Sequence, residues 1–167
     1  LPFIHFFDGF RTSHETNVIT ELKDEDIKSL VNFEKITEFR KRGINSGKSI
    51  TKGTAQNEDV YFQMMEAKNT FYEKISDIVN ANMKKVNKLT GEDYKPFNYY
   101  GSENAKHIII AMGSVCDTVK SVLQTINKFD DIYGLIEVHL YRPFSKKYLL
   151  NALPKTVKNI AVLDRTK

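Results

Sequence analysis

The chain has 167 residues, 41% of them apolar and 28% charged, with a formal net charge of +4. That is ordinary globular composition, with room for one full domain and a lead-in, and no run approaches the roughly 18 apolar residues that cross a bilayer. The single cysteine, Cys116, excludes an internal disulfide, a CxxC redox or metal pair and ligation of an iron–sulfur cluster.

The first residues, Phe3-Ile4-His5-Phe6-Phe7, form a nearly continuous apolar run and predict a buried strand ended by Asp8-Gly9. Phe10 to Glu15 reads as an ordered polar loop. His5 and His14 have no third ligand at a recognisable spacing, so no metal site is expected. Leu22 to Val31 predicts a short helix with Asp24 as its N-cap. Phe33 to Arg42 predicts another, with Phe33, Ile36 and Phe39 on one face and Gly43 as its stop. Its basic end, Arg40-Lys41-Arg42, suits the helix dipole and reads as a solvated terminus; there is no basic stripe interleaved with aromatics, so no nucleic acid is expected as a partner.

Residues 44–56 are a loop. Its Gly47-Lys48-Ser49 is no phosphate loop, because that motif needs a glycine at position 42, where Arg42 stands. The longest helical pattern runs from about Glu58 to Thr90, with a break near Asn69-Thr70, Asn57 as its cap and Gly91 as its end. Met64, Met65 and Met83 read as core filler. Tyr94 to Tyr100, rich in aromatics, reads as an extended arm ending in a short strand at Phe97 to Tyr100.

From Ala105 onward the pattern is strand, helix, strand, helix, strand. His107 to Met112 is an apolar run suited to the interior of a parallel sheet. Gly113-Ser114 turns into a helix lined by Val115, Val119, Val122 and Ile126. Gly134 to Tyr141 is the second strand, Ser145 opens a short helix, and Asn159 to Leu163 is the third. Crossovers of this kind are right-handed and give a parallel sheet. Ligands of open α/β sheets sit beyond the carboxyl ends of the strands. Gly113 and Ser114, at a helix start, and Arg142 are therefore the candidates for an anion or an interdomain contact. Cys116 has no histidine near it in sequence and reads as buried and inert. No catalytic residue and no metal ligand is assigned.

Several of these stretches resemble one family. His5-Phe6-Phe7-Asp8-Gly9-Phe10-Arg11-Thr12-Ser13-His14-Glu15, Gly53-Thr54-Ala55-Gln56-Asn57, Asp59-Val60-Tyr61-Phe62-Gln63, Tyr99-Tyr100-Gly101, Met112-Gly113-Ser114, Leu140-Tyr141-Arg142-Pro143-Phe144-Ser145 and Ala161 to Lys167 stand in the order found in pyruvate:ferredoxin (flavodoxin) and pyruvate:NADP oxidoreductases. Glu58 departs from the pattern, where the family commonly has proline. The resemblance implies an α/β fold: a small parallel-sheet core of transketolase C-terminal-like type over 99–167, preceded by a long helical lead-in over 21–98, with 1–20 closing a thiamine-binding domain.

It also implies a parent enzyme with thiamine diphosphate, magnesium, iron–sulfur clusters and coenzyme A as a substrate, and flavin and NADP where a reductase is fused. The parent is expected to be a homodimer, in the cytoplasm or a reducing mitochondrion-derived organelle, and not attached to a membrane. The chain lacks an initiator methionine, starts inside an apolar run and stops after Asp164-Arg165-Thr166-Lys167. It is therefore expected to be a segment of a longer polypeptide, without a secretory leader. The groups that hold the cofactors lie elsewhere in such enzymes, so no cofactor is expected in this chain. Its partners are the other domains of the same polypeptide. Arg11, His14, Arg142 and Arg165 are the interdomain candidates, and an isolated coenzyme A- or thiamine-diphosphate-binding module is the alternative reading.

Overall fold

The structure is a computed structural model that describes residues 3–47, 49, 53 and 55–164. Helices α1 (Arg11–His14), α2 (Asp24–Leu30), α3 (Phe33–Lys41), α4 (Glu58–Ala67) and α5 (Asn69–Thr90) precede a sheet. Strands β1 (Phe97–Gly101), β2 (His107–Ala111), β3 (Tyr133–Val138) and β4 (Asn159–Val162) then alternate with α6 (Val115–Ile126) and α7 (Lys146–Ala152).

The sheet order is β1-β3-β2-β4. β2 pairs in parallel with both β3 and β4, as the strand–helix–strand pattern requires. The arm strand β1 adds antiparallel to the outside of β3, with Phe97 opposite Val138 and Gly101 opposite Gly134. The sheet is thus mostly, not wholly, parallel. The period-two alternation divides its side chains between two faces. Ala111 and Leu135 pack with Cys116, Val119 and Leu123 of α6. Ile108 and Ile136 pack with Phe97, Tyr148, Leu149 and Ala152 on the α7 side. Each face is a small closed core: Leu135 and Ile136 are both fully buried.

The long helical pattern is broken where expected, at Lys68, and α5 ends on Gly91 at φ 78, a left-handed cap that favours glycine. Asn87 then binds the backbone of Tyr94 from both its amide atoms, turning the chain into the arm. Asp77 of α5 accepts from Lys147 Nζ at 2.9 Å and from Tyr148 Oη at 2.7 Å, which ties α5 to α7.

Four local readings are corrected. Phe10 to Glu15, expected as a loop, contains the one-turn helix α1. Residues 3–7 form no strand, and Phe3, Ile4, Phe6 and Phe7 are exposed; an apolar run becomes a strand only against a partner edge, and among the described residues none pairs with it. Asp24 is the first residue of α2, not its cap; Lys23 takes that position, and no side chain caps the helix. Asn57 and Ser145 do take the N-cap positions of α4 and α7, without a side-chain cap bond, and Asn32 caps α3, accepting from Lys35 N at 2.9 Å. Met64 and Met65 are exposed rather than core, because α4 buries no residue. Lys48 of the Gly-Lys-Ser stretch lies outside the described residues.

Candidate functional site

The chain leaves β2 for α6 on one face of the sheet and leaves β3 for α7 on the other. Between those two strands the topology switches, and the crevice beyond their carboxyl ends is where an open α/β sheet takes a ligand. Gly113-Ser114 follows β2 and the segment His139 to Phe144 follows β3, so both stand at this end of the sheet.

The crevice is filled from within the chain. Ser114 N donates to Asp8 Oδ2 at 2.5 Å, across 106 residues of sequence. The carboxylate therefore sits where the free amides of α6 and its dipole favour an anion. Gly113 makes this approach feasible: its φ is +80, and a Cβ there would stand 2.5 Å from Asp8 Oδ2. Phe6 lies edge-on to Tyr141, with ring centroids 6.5 Å apart, so an apolar contact accompanies the polar one. Ser114 has helical backbone angles and makes no cap bond through its own side chain.

Arg142 is exposed beside this crevice, its guanidinium 5.3 Å from the centroid of the Tyr141 ring. The Arg142–Pro143 peptide is cis. His14 turns back on its own helix, its Nδ1 2.7 Å from Phe10 O. The Arg11 side chain and all of Arg165 lie outside the described residues. The structure thus brings Gly113, Ser114 and the segment holding Arg142 to one crevice, and sets His14 apart in local contacts.

Behind the crevice lies a charged cluster that sequence reading missed. Glu137 of β3, on the α6 face, meets Lys120 Nζ at 2.9 Å and His139 Nε2 at 3.4 Å. Lys120 also lies 4.4 Å from the centroid of the Tyr100 ring. The hydrogen bond from His139, then that from Lys120, outweigh burial and hold the Glu137 carboxyl down at about 2. Burial alone would depress Lys120, yet Glu137 raises it above the usual ammonium range. The available signal was an acid inside the apolar run Leu135-Ile136-Glu137-Val138, since a charge in a buried strand needs a partner. Cys116 is fully buried, and burial pushes its thiol up to about 11, the state of an inert core cysteine.

A thiamine diphosphate or coenzyme A phosphate does not fit Gly113-Ser114 as it stands: the Ser114 amide is taken, and Asp8 brings a like charge to the same place. Among the described residues no three His, Cys, Asp or Glu side chains gather as a metal site, and no helix is long and apolar enough to cross a membrane.

Fold and crevice together define an α/β domain of mixed sheet, carried behind a helical lead-in, whose ligand edge is closed by its own chain. Comparison with known proteins supplies the family. The model described as pyruvate flavodoxin/ferredoxin oxidoreductase, thiamine diphosphate-binding, matches residues 1–84, and that described as pyruvate:ferredoxin oxidoreductase core domain II matches residues 105–167. The chain belongs to the pyruvate flavodoxin/ferredoxin oxidoreductase family. It is 48% identical over 167 residues to a pyruvate-flavodoxin oxidoreductase of Klebsiella pneumoniae and 45% identical over 167 residues to a pyruvate:ferredoxin oxidoreductase of Moorella thermoacetica. In both cases 100% of this chain and 14% of the relative are covered. A pyruvate dehydrogenase [NADP(+)] of Cryptosporidium parvum is 42% identical over 168 residues, covering 100% of this chain and 9% of the relative.

Proposed function

We propose that the chain is part of a longer, thiamine-diphosphate-dependent pyruvate oxidoreductase and serves there as a scaffold that docks the catalytic domains. The parent reaction is oxidative decarboxylation of pyruvate with coenzyme A, giving acetyl-CoA, carbon dioxide and two electrons, which leave through iron–sulfur clusters to ferredoxin, flavodoxin or NADP. In this reading residues 1–20 close the thiamine-binding domain, 21–98 link, and 99–167 form the core that docks. The parent is a homodimer, and no residue of this chain touches the reacting atoms.

The observation that carries the reading is the occupied crevice. The Ser114 amide, where an anionic cofactor would enter, already holds Asp8. The apolar surface supports it: Phe3, Phe10, Phe33, Phe39, Phe62 and Phe71 are all exposed, and α2, α3 and α4 bury no residue. Exposed aromatics in such number mark surfaces made to be covered, and the remaining domains of the same polypeptide are the covering partners.

Arg142→Ala in the assembled parent separates this reading from a coenzyme A- or thiamine-diphosphate-binding module. A scaffold predicts weakened assembly by analytical ultracentrifugation, with KM for pyruvate and coenzyme A unchanged in the fraction that assembles. Intact assembly with a raised KM for coenzyme A would favour the module.

A further inference from the structure

The two regions matched by separate family descriptions, 1–84 and 105–167, meet at Asp8 and Ser114. We propose that Asp8 is a positioning residue: its carboxylate latches the segment 3–10 into the crevice at the carboxyl edge of the sheet, and so fixes the first region against the core. The inference deepens the docking reading, since it names the contact through which docking is transmitted.

Three features make the contact a built one. The acceptor is charged and the donor is a terminal amide of a 12-residue helix, so hydrogen bond and helix dipole act in the same direction. Residue 113 is a glycine with positive φ, and any side chain there would drive into the carboxylate. Phe6, two residues before Asp8, lies against Tyr141 of the segment after β3, so the segment is gripped at two points. Phe3, Ile4 and Phe7 of the segment are exposed, and residues 3–7 form no strand. The Asp8–Ser114 bond therefore joins the segment leading into Phe10 to Glu15 to the end of the sheet.

The test is amide hydrogen exchange and limited proteolysis on the 167-residue chain with Asp8→Ala, Asp8→Asn and Gly113→Ala. Asp8→Ala should speed exchange of the Ser114 amide by about tenfold or more and expose 3–10 to cleavage, while amides of β2 and β3 keep their protection. Asp8→Asn, which keeps an acceptor oxygen without the charge, should fall between Asp8→Ala and the parent chain, and it decides the matter if Asp8→Ala does not fold. Gly113→Ala carries the same backbone strain in any background, but its wedge against the carboxylate exists only where Asp8 is present. It should therefore destabilise the Asp8→Ala background less than the parent chain, a non-additivity that simple loss of structure does not produce. A Ser114 amide that exchanges at the parent rate in the Asp8 variants would overturn the latch. That outcome leaves the docking reading to be judged separately, by ligand titration.

Discussion

Gly101→Ala is expected to lower the unfolding free energy by about 3 kcal/mol or more, close to the whole margin of a small domain. Gly101 ends β1 directly opposite Gly134 of β3. Its φ is +121, where an L side chain is strained, and a Cβ there would meet Tyr133 O at 2.6 Å and Gly134 Cα at 2.7 Å. Both are backbone atoms of the interior strand β3, so neither can swing aside, and relief would require β1 to shift away from β3. Gly91→Ala is the control. Gly91 also has a positive φ, +78, but nothing lies within 4 Å of an added Cβ. Its cost is the left-handed conformation alone, about 1 kcal/mol. Urea unfolding of the two variants checks the account; equal costs would show that the close approach of β1 and β3 is not what selects glycine at 101.

The second large effect is expected at Glu137. Its side chain is 14% exposed and that of Lys120 26%, so the pair is partly, not fully, withdrawn from solvent. Glu137→Gln leaves Lys120 without its nearest anion and should cost about 2 kcal/mol at pH 7. The pH dependence identifies the cause. The carboxyl is held at about 2 in the folded chain against 4.5 unfolded. A depressed folded value means stabilisation that is full above about 4.5 and is lost as the pH falls toward 2. Partial exposure holds the contribution to about 2 kcal/mol. The gap between parent and variant should therefore shrink steadily as the pH falls from about 4.5 toward 2. A gap independent of pH down to the acid limit would assign the loss to packing.

How much of this was legible in the sequence follows from what each feature depends on. The α/β core was readable because its strands are continuous apolar runs and its helices carry one apolar face, and both patterns are local. The break at Lys68 and the cap at Gly91 were readable for the same reason. Residues 3–7 misled, because the run has strand composition but no partner edge among the described residues, and pairing is not a local property. The antiparallel placement of β1 was out of reach too: Phe97 to Gly101 could be seen as a strand, but its register against β3 is set by the Gly101–Gly134 approach and by the packing of Phe97 on the α7 face. At the crevice, Gly113 and Ser114 were found from topology, as an anion site should be. The anion was not, since Asp8 lies 106 residues away in sequence and looked like the end of a strand. The Glu137–Lys120–His139 cluster needed the helix-to-strand register as well as the residues.

The central claim is that this chain docks domains and holds no cofactor of its own. The most direct test is a thermal-shift titration of the chain with thiamine diphosphate plus Mg²⁺, and separately with coenzyme A. A ligand of the folded state present at about 100 times its dissociation constant stabilises it by roughly 2.7 kcal/mol, a shift readily seen in a protein of this size. The account predicts no saturable shift with either ligand. A saturable shift with one of them would contradict it, and the Ser114–Arg142 edge would be the first place to look for the site.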